Sequence, residues 1–174
     1  IEKGVNVNLQ DYETEIIPLM YSILQNDYET FNLLIDKTNL EVQDINGNNC
    51  LHYSIIEKNY EFIDKFVERN LNLNISNIYG KTPLHLILEY YDSNYDLIDK
   101  FNLGNILKKT DLNIQDNNGT SCFLLICKLG LWKKIIPILE NKKINIYLKN
   151  KDNEVPNQFI DDEKNELFYD MVSK

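Results

Sequence analysis

Two histidines, His52 and His85, three cysteines, Cys50, Cys122 and Cys127, and 27 Asp and Glu side chains are the groups of this 174-residue chain that could carry chemistry. A catalytic histidine needs a nucleophile or a metal partner, and neither is marked near either histidine. The cysteines are odd in number and have no CxxC spacing, which argues against a disulfide framework and a zinc site and for a reducing compartment. The carboxylates are scattered, with no pair set aside for acid–base work. Gly47, Gly80 and Gly119 occur singly, unlike the clustered glycines that cradle phosphate. Lys108-Lys109, Lys133-Lys134 and Lys142-Lys143 are short basic pairs in a chain of net charge −9 whose only arginine is Arg69, so a nucleic-acid surface is not expected. No apolar run approaches the ~20 residues of a membrane span. No catalytic residue, cofactor site or metal ligand is therefore assigned.

These residues are placed by a repeat. Asp44-Ile-Asn-Gly-Asn-Asn-Cys-Leu-His52, Asn77-Ile-Tyr-Gly-Lys-Thr-Pro-Leu-His85, Asp116-Asn-Asn-Gly-Thr-Ser-Cys-Phe-Leu124 and Asn150-Lys-Asp-Asn-Glu-Val-Pro-Asn-Gln158 share one pattern. Each opens with Asp or Asn, has Gly or Asn three residues on, and Pro or Cys three further on. Ile17-Pro-Leu-Met20, preceded by Asp11 at one residue's offset, is a degenerate first copy. Leu19, Leu51, Leu84, Phe123 and Asn157 are spaced by 32, 33, 39 and 34 residues. A second marker series, ending at Asp11, Asp44, Asn77, Asp116 and Asn150, keeps the same period. Between markers each unit reads as two short helices. Leu51, Ser54 and Ile55 keep helical spacing, and Phe62, Ile63, Phe66 and Val67 form a buried stripe. Neither helix can bury its stripe alone, but stacked neighbours can.

A 33-residue unit containing Gly-Lys-Thr-Pro-Leu-His85 resembles the ankyrin repeat, whose signature includes T-P-L-H. The resemblance covers about residues 2–160. It implies an all-α solenoid of stacked helix-turn-helix units with β-turn tips. The expected division is 1–11 as the end of a preceding unit, repeats at 12–43, 44–76, 77–115 and 116–149, and a degenerate C-terminal cap at 150–174. At least one further repeat is expected upstream. The 77–115 unit is six residues longer than its neighbours, and the extra residues are expected near Tyr91-Asp92 and in Asn102 to Lys109. Pro137 should kink or shorten the outer helix of the next unit.

In this family the repeat histidine orients the turn by hydrogen bonding, so His52 and His85 are expected to be structural. The family binds proteins through turn tips and the exposed face of the inner helices. Carried onto this chain, the tip positions are Ile45, Asn46, Asn48, Ile78, Tyr79, Lys81, Asn117, Asn118 and Thr120. The inner-helix positions are Ile56, Glu57, Glu89, Tyr90, Lys128 and Leu129. Ile45, Ile78 and Tyr79 stand out because a turn tip is ordinarily polar. The expected function is a non-enzymatic scaffold or adaptor for a protein partner of unknown identity, either a monomer or part of a larger assembly. The alternative is a structural subunit of such an assembly, where the same surface is permanently covered. The chain has 25 Asn, 22 Ile and 17 Lys but no Ala. That bias points to an A/T-rich genome such as that of a large DNA virus or a parasite, and with the cysteines to a cytoplasmic or nuclear location.

Overall fold

In the computed structural model, which describes residues 4–69, 71–90, 103–139 and 142–160, helices alternate between an inner and an outer row. The inner row is α1 (Pro18–Leu24), α3 (Cys50–Ile56), α5 (Pro83–Glu89) and α7 (Cys122–Lys128). The outer row is α2 (Tyr28–Leu34), α4 (Tyr60–Glu68), α6 (Leu103–Lys109) and α8 (Trp132–Leu139). A 3-10 turn, Pro156–Phe159, follows α7 in the inner row and packs on it. Among the described residues there is no strand, only one isolated bridge between Gln115 and Ser121. The chain is an all-α repeat solenoid.

Local chemistry sets the helix boundaries. Thr82 and Ser121 accept a hydrogen bond from the third helical N–H of α5 and α7, and Asp27 and Asn59 do the same for α2 and α4. Pro18 and Pro83 stand at the first helical position, where a missing N–H costs nothing. Asn26, Lys58 and Gly130, each with positive φ (54°, 55° and 67°), reverse the chain between the inner and outer helix of a unit.

The rows are held together by packing between units. Helices α1, α3, α5 and α7 touch in sequence, and α6 packs on α8. Phe31 of α2 stacks on Phe62 of α4 with ring centroids 4.0 Å apart and meets Phe66 edge-on at 5.5 Å. These rings, with Phe123 and Trp132, are wholly buried, so each unit's core is completed by its neighbour.

One expectation needs correction. Of the stretch Asn102 to Lys109, expected to hold extra residues, the described part, Leu103–Lys109, is a helix of the outer row. Leu103, Ile106 and Leu107 of α6 are buried and repeat the i, i+3, i+4 spacing of Ile63, Phe66 and Val67, so this stretch supplies the outer helix of its unit. The extra residues precede Leu103, and Tyr91, Asp92 and Tyr95 lie outside the described residues. Pro137 lies two residues before the end of its helix. Helix α8 continues to Leu139, with Pro137 exposed on its surface.

Candidate protein-binding surface

The tips are built from the residue that opens each turn. Asp44 Oδ1 accepts the N–H groups of Asn46 (3.0 Å) and Asn48 (2.6 Å). Asn77, Asp116 and Asn150 repeat that pair of bonds in their own turns. Gly47, Gly80 and Gly119 follow with φ of 73°, 74° and 75°, the left-handed region that glycine enters freely. Each glycine also abuts the next tip: a Cβ on Gly80 would stand 2.7 Å from the backbone nitrogen of Asn117.

Backbone bonds join successive tips. The N–H of Ile45 donates to Thr14 O, that of Ile78 to Asn46 O, that of Asn117 to Tyr79 O and that of Lys151 to Asn118 O, at 2.8–3.0 Å. Ile45, Ile78, Asn117 and Lys151 therefore occupy one position of the ladder.

Beneath the tips the histidines link one unit to the next. His85 Nε2–H donates to Thr120 O at 3.0 Å, which leaves Nδ1 as the acceptor for the Thr82 N–H at 3.2 Å and the Thr82 hydroxyl at 2.8 Å. His52 Nε2–H donates to Lys81 O at 3.1 Å. Both rings are fully buried. Burial pushes the His52 pKa down to about 4 and lowers that of His85. Burial likewise pushes the thiols of Cys50, Cys122 and Cys127 up to about 12. The sulfur of Cys122 lies 3.2 Å from His85 Nδ1. A neutral imidazole and protonated, buried thiols hold this arrangement together and do not present a nucleophile to solvent.

The residues expected to contact a partner fall into two groups. Ile45 (57% exposed), Ile78 (53%) and Tyr79 (58%) stand out from the tips, with Asn46, Asn117 and Asn118 exposed beside them. Asn48 and Thr120 are half-buried. On the inner row Ile56, Glu57 and Tyr90 are exposed and Leu129 is half-buried. Of the expected charged contacts, Lys81, Glu89 and Lys128 form ion pairs, whereas Glu57 does not. Lys81 meets Glu89 at 2.7 Å, and Lys128 meets Glu154 at 2.8 Å. These pairs run from tip to inner helix, so tips and inner helices share one face.

The structure adds residues the sequence reading passes over. The first turn spans one residue more than the others: Asp11 N–H donates to Ile16 O, whereas Asp44 N–H donates to Asn48 O. Asp11 still binds the N–H groups of Glu13 and Thr14. Its hydrogen bonds, led by that from the Thr14 hydroxyl, hold its pKa well below the usual carboxylate range. Because Thr14 O takes the Ile45 N–H as Asn46 O takes that of Ile78, Glu13 holds the place of Ile45, and Tyr12, the added residue between Asp11 and Glu13, is 100% exposed. Tyr21 OH donates to Asp11 at 3.2 Å and Tyr53 OH to Asp44 at 2.7 Å, tying inner helices to tips. Desolvation, reinforced by that bond to Asp44, raises the Tyr53 pKa. Asp11 was the available signal, since a tyrosine directly after a turn-opening Asp is visible in the sequence once the longer turn is allowed for.

Among the described residues no group of His, Cys, Asp and Glu could hold a metal ion, and no helix is long and apolar enough to cross a membrane.

A family profile described as ankyrin repeats (3 copies) matches residues 19–101. The whole chain is similar to ankyrin repeat protein L371 of Acanthamoeba polyphaga mimivirus, at 29% identity over 203 aligned residues, which are 26% of that protein. It is also similar to ankyrin repeat protein FPV031 of fowlpox virus, at 31% identity over 67% of the chain and 34% of the relative. The chain thus spans a quarter to a third of the length of these viral relatives. Its fold resembles a chain in the solved complex of the Bd0816 predatory endopeptidase of Bdellovibrio bacteriovorus with immunity protein Bd3460. The TM-score is 0.65 at 20% identity, covering 98% of this chain and 86% of that one. With the repeat period, the tip hydrogen bonds and the paired helices, these matches establish that the chain belongs to the ankyrin repeat family.

Proposed function

We propose that this chain is a non-enzymatic protein-interaction module whose partner docks on the turn tips and the exposed side of the inner helices. One observation carries the reading: Tyr12, Ile45, Ile78 and Tyr79 expose large apolar surface on consecutive tips. Tip side chains that project into water add little to folding, so a covered state accounts for them better than the free chain does. Full burial of an isoleucine contributes about 1.5–3 kcal/mol, and Ile45 and Ile78 have roughly half of their surface left to cover, so they anchor a contact that other residues must complete to reach the ~8 kcal/mol of micromolar affinity. Ankyrin repeats are generally protein-interaction modules, which supports the same reading. The viral relatives and the three free, buried thiols support an intracellular setting, the cytoplasm or nucleus of an infected cell.

The test is the triple change Ile45→Ser, Ile78→Ser, Tyr79→Ser. A partner is first captured with the wild-type chain and identified by mass spectrometry, and the variant is then compared with the wild type for its binding. Helical content and melting should be unchanged and association lost. Normal binding by the triple variant would move the site away from the tips. Self-association that the triple change abolishes would make the same surface a contact within an assembly.

A further inference from the structure

Charge is distributed unevenly along the solenoid. Residues 4–57, the first unit and the front half of the second, carry nine carboxylates against one lysine, whereas residues 58–160 carry twelve carboxylates against fourteen lysines and arginines. The binding face follows the same gradient. In the third and fourth units its charges are cancelled by the Lys81–Glu89 and Lys128–Glu154 pairs. In the first two units the corresponding positions are uncharged: Asn48 stands in its turn where Lys81 does, and Leu24 and Ile56 stand where Glu89 and Lys128 do. Glu13, beside Tyr12 at the first tip, and Glu57, at the end of α3, are exposed, and no described cation pairs with either. Asp11 and Asp44 lie behind them, kept as carboxylate acceptors by the turn N–H groups and by Tyr21 and Tyr53. The lysine-rich cleft lies elsewhere, where the outer helices end, lined by Lys108, Lys109, Lys142 and Lys143.

We propose that the occupant of this face is a basic peptide segment of the partner. Its bulky apolar side chains rest on Tyr12, Ile45 and Ile56, and its lysines or arginines are held by Glu13 and Glu57. This rests on the protein-binding reading above and names the partner's chemistry. The apolar row supplies the anchor. The carboxylates supply selectivity and steer the encounter, because opposite charge at the rim accelerates association and like charge rejects the wrong partner. An acidic segment would meet the net negative field of residues 4–57, with Lys58, which follows Glu57 and lies 6.0 Å from the Tyr90 ring, as the cation beside it.

The experiment is a selection of randomised displayed peptides on the 174-residue chain, followed by affinity measurements on the selected synthetic peptides. The selected peptides should carry Lys or Arg flanking one or two large apolar residues, and their binding should weaken as salt is raised. Glu13→Lys with Glu57→Lys should weaken binding about tenfold or more, equivalent to ~1.4 kcal/mol. Lys142→Glu with Lys143→Glu should leave it unchanged. Selected peptides that are neutral or acidic, or that tolerate the double glutamate change, overturn the proposal. If such peptides are still lost on Ile45→Ser, Ile78→Ser, Tyr79→Ser, the tip surface stands and only the basic class falls. Peptides insensitive to both sets of changes, or no selected peptide at all, defeat both readings.

Discussion

Replacing Asn49 by threonine should stabilise the protein. In the third unit the Thr82 hydroxyl both accepts from the His85 N–H and donates to His85 Nδ1, so every polar atom of that cap is paired. In the second unit Asn49 takes the threonine's place. Its Oδ1 accepts from the N–H groups of Leu51 and His52, each at 3.1 Å, and lies 2.7 Å from His52 Nδ1. Because His52 Nε2–H is committed to Lys81 O, Nδ1 is itself an acceptor, and two acceptors face each other. The amide Nδ2 meanwhile has no partner and is buried. Rotating the amide would bring Nδ2 to Nδ1 but turn a donor toward the Leu51 and His52 N–H groups, so either orientation leaves a buried polar group unsatisfied. Such a group costs about 1–3 kcal/mol. A hydroxyl removes the conflict because it donates and accepts at once. Allowing for the smaller side chain, Asn49→Thr should gain about 1 kcal/mol and raise the melting temperature by ~2–4 °C for a chain of this size. Thr82→Asn should lose a similar amount. Thermal melts followed by circular dichroism, with guanidinium midpoints alongside, provide the measurement. An Asn49→Thr variant no more stable than the wild type, or a neutral Thr82→Asn, would refute the account of the histidine cap.

Two further outcomes are expected. The His52 pKa is depressed in the folded state, so the unfolded chain binds the proton more tightly. Stability is full above pH 6.5, falls as pH drops, and levels off below the folded pKa of about 4. The loss from this residue is about 3 kcal/mol, at ~1.4 kcal/mol per tenfold change in proton affinity. The lowered pKa of His85 acts in the same direction. Denaturation midpoints across this range should show the slope, and His52→Gln should flatten it while lowering stability at neutral pH. A wild-type slope retained in His52→Gln would exclude the histidine as its source. Gly80→Ala should cost about 2 kcal/mol or more, because a Cβ there adopts a left-handed φ and also meets the Asn117 backbone. Gly130→Ala isolates the first effect, since nothing lies within 4 Å of its Cβ position, and should lose about 1 kcal/mol by the same melts. Equal losses at the two sites would show that the close approach of neighbouring tips carries no energy.

The repeat, its helix pairs and its turn chemistry are written in neighbouring residues. These features rest on interactions within about four residues: Asp44 closing its own turn, Thr82 capping α5, Gly80 turning the tip. Such contacts leave their mark in adjacent letters, so Thr82-Pro-Leu-His85 and the spaced glycines could be read directly. The histidines' structural place was legible for the same reason, because they recur at one position of that local pattern. What depends on register between units emerges once the units are stacked. The extra residue of the first turn hides its register, which the backbone ladder between tips restores: Thr14 holds the place of Asn46, Glu13 that of Ile45, and Tyr12 is the added residue before them. The third unit's added length conceals that Leu103, Ile106 and Leu107 are its outer stripe, which their burial and the packing of α6 on α8 reveal. The pairing of Lys128 with Glu154 joins residues 26 apart, and no local pattern specifies which charges meet at that distance. Side chains that look equivalent letter by letter thus end differently. Lys81 and Glu89 pair within their own unit and Lys128 finds Glu154 across the stack, while Glu13 and Glu57 face solvent with no described cation paired to them.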